Sequence, residues 1–116
     1  MRKLFQIAAW FLLVAITVLS VVPPRDRPVT PAPHVLEHAA IFAAMGLAFG
    51  LGYASRYLFQ TIALIGFCAA IELVQLGVSG RHARLSDFAV DALSVSIGVG
   101  VAFLLGEAGP YLRLRR

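Results

Sequence analysis

Residues 4–22 read "LFQIAAWFLLVAITVLSVV", set between the basic start "MRK" and the polar "PPRDRP". A signal peptide and a membrane-crossing helix both begin like this. The apolar region of a signal peptide spans roughly 7–15 residues and ends at a small-x-small cleavage site. This run is longer, and no such site follows it. It is long enough to cross a hydrocarbon core, which takes about 20 apolar residues. The stretch therefore reads as a retained transmembrane helix, and it sets the terms for the rest of the chain.

Composition agrees. The chain has 116 residues, enough for a single domain, of which 59% are apolar and 14% charged, with a mean hydropathy of +0.83. A soluble domain of this size cannot hide so much apolar surface. The net charge of +4 would ordinarily raise nucleic-acid binding. Here the basic residues fall in short hydrophilic gaps, where membrane orientation explains them, so no nucleic-acid partner is expected. Lone Cys68, inside "LIGFCAAIEL", excludes an intramolecular disulfide and reads as a packing residue.

Three further segments are long and apolar enough to span, at roughly 35–53, 57–78 and 86–106. The expected fold is all-α, a four-helix transmembrane bundle forming one domain over residues 1–116. The first gap, "PPRDRPVTPAP", carries five prolines and reads as an extended, hydrated connector. The second, "YASRY", is a tight turn with residues suited to the membrane interface, and the third, "SGRHARL", is short and polar. With four spans both termini share a side with the 53–57 turn. That side holds Arg2, Lys3, Arg56, Arg113, Arg115 and Arg116, against Arg25, Arg27, Arg81 and Arg84 on the other. The excess of basic residues places both termini in the cytoplasm.

Small residues supply packing faces. Gly46 and Gly50 form a GxxxG pair, and Ser94/Gly98 and Ser96/Gly100 repeat the spacing. Such pairs let backbones approach closely in lipid, within the bundle or, for Gly46 and Gly50, between copies in a homo-oligomer.

The ionisable residues gather at one membrane face, the outer one in this orientation. Glu37 lies near the start of the second span, Glu72 near the end of the third, and Asp87 and Asp91 open the fourth. His34, His38 and His82 fall on that side too. A charged group at the centre of a span costs about 2.5–3.5 kcal/mol on insertion scales, so such groups are retained only with partners or access to water. Glu72 and Gln75 share a helix face, as do Asp87 and Asp91, with Ser94 and Gly98 continuing the second stripe inward. Arg81 and Arg84, in the intervening loop, are in reach of these carboxylates. The expectation is a shallow polar pocket, open outward.

The stretch "ELVQLGVSGRHARLSDFAVDALSVSIG", residues 72–98, together with "EH" at 37–38, resembles the VanZ-like family of small bacterial membrane proteins. The family pattern is E-x-x-Q, a Gly-Arg loop, then D-x-x-x-[N/D] running into a small-residue helix. Glu72, Gln75, Gly80, Arg81, Asp87, Asp91 and Gly98 match it, and His38 matches a histidine of the second span. The likeness covers roughly residues 34–103. Two positions depart: the family usually has Asn where this chain has Asp91, and an acid with a lysine often precedes the histidine where this chain has Leu36-Glu37. The resemblance implies a four-helix protein of the bacterial inner membrane. The founding member is associated with low-level resistance to teicoplanin, and most members have no assigned biochemical activity.

Four functions compete for these residues. "HVLEH" at 34–38 is H-x-x-E-H, the signature of inverted zinc proteases. Those enzymes need a third ligand and a substrate cleft, and His34, after Pro33, reads as an interface residue that need not be helical. No metal or other cofactor is expected. A second reading makes the acids, Gln75 and the arginines a salt-bridge network that serves assembly alone. A third makes them a pocket that binds or modifies a lipid-linked or anionic envelope component. Its binding residues are Glu72, Gln75, Arg81, Arg84, Asp87 and Asp91, and His38, Glu37 and Asp87 are candidates for proton transfer, with His38 acting beside Glu37, Asp87 or Asp91. The fourth, ion conduction, needs polar groups across the whole thickness, and "MGLAFGLG" and "VGVAFLLG" offer none.

Overall fold

A computed structural model describes residues 1–22, 34–77 and 85–114, with side chains for 35–107 of the latter two segments where they fall within them. The described chain is all-helical: α1 Arg2–Val21, α2 His34–Gly52, α3 Tyr57–Gln75 and α4 Leu85–Leu114. All four are long and apolar enough to cross a membrane, over Arg2–Val21, Val35–Gly52, Tyr57–Gln75 and Leu85–Glu107. Phe11, Phe59, Leu93 and Leu104 point out of the bundle, the placement expected where lipid is the solvent. This is a multi-pass membrane architecture.

The helix ends follow local chemistry. Val22 leaves α1 with φ −72° and ψ 133°, the extended geometry favoured in the residue before a proline, here Pro23. The 53–56 turn is closed by Gln60, whose Nε2 donates to the Tyr53 carbonyl at 2.5 Å, satisfying an acceptor that α2 leaves behind. α3 stops at Gln75, short of the expected 78, because Gly77 N–H turns back to the Val74 carbonyl at 3.0 Å. α4 runs on to Leu114, past the expected 106 and through Pro110. Hydropathy marks where lipid ends, at about Glu107, and a helix need not end there.

Contacts set the directions. Gly46 packs on Val95 and Gly50 on Val99 and Ala102, so α2 and α4 run parallel and make the most extensive interface. Gln6 Nε2 donates to the Gly52 carbonyl at 2.9 Å, placing α1 antiparallel to α2. Tyr57 meets Phe103 edge-on, placing α3 antiparallel to α4. The core holds Met45, Cys68, Val95 and Val99, all at most 2% exposed. The glycine pair Gly46/Gly50 is thus occupied by α4 of the same chain, and association between copies would use another face. Ser94/Gly98 packs as the spacing suggested. Ser96/Gly100 does not: Gly100 faces open space.

Candidate functional site

The parallel course of α2 and α4 brings their first turns level, and antiparallel α3 returns its last turns to the same end. His38 lies one turn into α2 and Asp91 under two turns into α4. They meet across the seam, His38 Nδ1 to Asp91 Oδ1, at 3.1 Å. Asp91 is fully buried and His38 half-buried. The imidazole also stacks on Phe42, one turn along, at 5.9 Å between centroids and 20° between planes. A carboxylate on one side and an aryl face on the other fix its orientation. Facing a carboxylate, Nδ1 carries the proton and donates it.

The other side chains surround this pair by element. On α3, Glu72 and Gln75 are buried at 8% and 6% exposure. Cys68, one turn below Glu72, is completely buried. On α4, Ser94 is buried beneath Asp91, and Gly98 lies against the Ala43 carbonyl and the Leu47 N–H. Glu37 and Asp87 stand half-buried nearer the helix starts. Among the described residues Asp91 Oδ2 has no hydrogen-bond partner. Arg81, Arg84 and His82 lie outside the described residues, as does the side chain of His34.

The structure thus joins His38 to Asp91, buries Glu72 and Gln75 near the α3 terminus at the same end of the bundle, and leaves Glu37 and Asp87 half-buried nearer the helix starts. Of the acids that the sequence sets beside His38, namely Glu37, Asp87 and Asp91, it is Asp91 that the parallel register of α2 and α4 brings to it. His34 begins α2, so "HVLEH" is helical throughout. Among the described residues no group of three or more His, Cys, Asp or Glu side chains is arranged to hold a metal. His38 directs Nδ1 to Asp91 instead.

Chemically, a histidine held through Nδ1 by a buried carboxylate has its ring orientation fixed and presents its other nitrogen for a second hydrogen bond. Buried carboxylates beside it favour a donor-rich or cationic neighbour over an apolar one. A second region, at the opposite end, escaped the sequence reading. Gln60, an amide in the apolar run "YLFQTIALIGF", is buried at 8% exposure and was the available signal. Compared with protein-family models, with curated proteins and with solved structures, the chain matches none.

Proposed function

We propose that the His38–Asp91 pair, with Glu72 and Gln75, is the floor of an outward-facing site in a bacterial inner-membrane protein of the VanZ-like type. The site binds or modifies a lipid-linked or anionic envelope component. Arg81 and Arg84 are the cations the connecting segment supplies for it, a role resting on the sequence alone. One observation carries the reading: a fully buried aspartate paired to a histidine, with Glu72 and Gln75 of α3 also buried at that end of a largely apolar bundle. Ionisable groups inside a membrane face a cavity or pathway more often than they serve packing.

A second reading has its own support. The pair crosses the same α2–α4 seam that Gly46 and Gly98 close, so it also suits a lock on helix register.

The two separate in a lipid analysis of protein purified in mild detergent. The binding reading expects an anionic or lipid-linked species enriched over bulk lipid with the natural protein, and depleted about tenfold by Asp91→Asn or His38→Gln at unchanged protein yield. Equal enrichment in all three would remove it in favour of the register lock. Orientation is checked by alkaline-phosphatase fusions, expected active at residues 30 and 82 and inactive at 55 and 116; the reverse pattern turns the site to the cytoplasm.

A further inference from the structure

At the end of the bundle away from the His38–Asp91 pair, α1, the 53–56 turn and α3 border an open groove of about 530 Å³. Sites for small molecules run from roughly 300 to 1,000 Å³. Arg2 and Arg56 are at one end of it, and among the described residues no acidic side chain lines it. Further along, the walls are Leu13, Phe49, Leu64 and Phe67.

Both bordering helices grade the same way. Arg2 and Leu13 are eleven positions apart on α1, and Arg56 and Phe67 eleven apart on α3. At 1.5 Å per residue the charged and apolar ends are separated by about 16 Å along each helix. Charge at one end and hydrocarbon at the other is the shape of an amphiphile. One turn below Arg56, Gln60 spends Nε2 on the Tyr53 carbonyl, and its buried Oε1 has no hydrogen-bond partner among the described residues. Beside it, Trp10 Nε1 donates to the Tyr53 hydroxyl at 2.8 Å, which leaves the phenol proton for another acceptor. These polar atoms sit where the glycerol region of a lipid would fall.

We propose that this groove binds an anionic glycerophospholipid, with its phosphate on Arg2 and Arg56 and an acyl chain along Leu13, Phe49, Leu64 and Phe67. Guanidinium forks match phosphate oxygens, and basic pockets between transmembrane helices take anionic headgroups. The site is separate from the polar cluster and does not depend on what that cluster does.

Trp10 is the chain's single tryptophan and lines the groove, so its fluorescence reports occupancy. The full chain in phosphatidylcholine nanodiscs is doped with brominated phosphatidylglycerol or brominated phosphatidylcholine, whose bromines quench a neighbouring indole. Phosphatidylglycerol is expected to quench at a mole fraction at least tenfold lower. Arg2→Gln and Arg56→Gln should each cut that preference about fivefold. Lys3→Gln, exposed and outside the groove, and Asp91→Asn should leave it intact. Equal quenching by the two lipids overturns the proposal. So does an effect of Lys3→Gln as large as that of either arginine, which reduces the preference to diffuse charge. Displacement by inorganic phosphate at matched concentration would also overturn it, as a site for the free anion.

Discussion

α4 meets its two neighbours in different ways. Towards α2 it forms a backbone seam, with Gly98 on the Ala43 carbonyl, Gly46 on the Val95 carbonyl and Gly50 against Val99 and Ala102. Towards α3 it uses side chains: Tyr57 and Phe103 meet at 5.3 Å and 80°, and Gly106 lies beside the Tyr57 hydroxyl. Gly66 of α3 and Gly100 of α4 face nothing within 4 Å. Lipid tails are as apolar as leucine, so helices in a membrane associate through close packing and polar contacts. A small residue therefore contributes only where a neighbour's backbone lies opposite it. The His38–Asp91 pair sits in the seam where backbones touch, the most extensive interface of the bundle.

Two glycines two positions apart test this contrast. At Gly98 a Cβ would strike the Ala43 carbonyl and crowd the Leu47 N–H, both backbone and unable to move aside. Overpacking typically costs 1–3 kcal/mol, and Gly98→Leu should lie at or above the top of that range, about 3 kcal/mol. Gly100→Leu, in open space, should stay within about 0.5 kcal/mol. Thermal unfolding in detergent compares them. Equal destabilisation would mean that the α2–α4 seam is not what holds α4.

The spans were legible because hydropathy over about 20 residues is a strong signal. The ends of α3 and α4 were less so. A glycine turn after Val74 and a helix continuing past the lipid-facing stretch leave little trace in hydropathy. Four small-residue positions on α4 looked equivalent by spacing, and only Ser94 and Gly98 found a partner helix. That choice depends on helix rotation, which period alone does not reveal. At the polar end, the burial of Glu72, Gln75 and Asp91 was readable, since each lies in or beside an apolar run. That Asp91, rather than Glu37 or Asp87, is the acid His38 meets required knowing that α2 and α4 are neighbours running the same way. The groove at the other end was invisible, because three separate elements each contribute a short piece of it.

The ion pair supplies the finer test of the seam. Removing one partner of a buried pair is costly chiefly because the other is left charged in a medium that solvates it poorly. The two partners are unequal in this respect. Without Asp91 the half-buried imidazole can turn to another acceptor, whereas without His38 the fully buried Asp91 loses, at Oδ1, its hydrogen-bond donor. His38→Ala should therefore cost about 3–5 kcal/mol, and Asp91→Asn, which keeps the shape and an acceptor for Nδ1–H, about 1 kcal/mol. Combined, they should cost less than their sum by about 1–3 kcal/mol, since a neutral asparagine is less costly than a carboxylate to leave without the histidine's donor. The same cycle measured for Gly98→Ala with Asp91→Asn asks whether the seam is one unit. Strict additivity there, with coupling confined to His38 and Asp91, would show that glycine contact and ion pair act separately, and that the charges are held for something other than register.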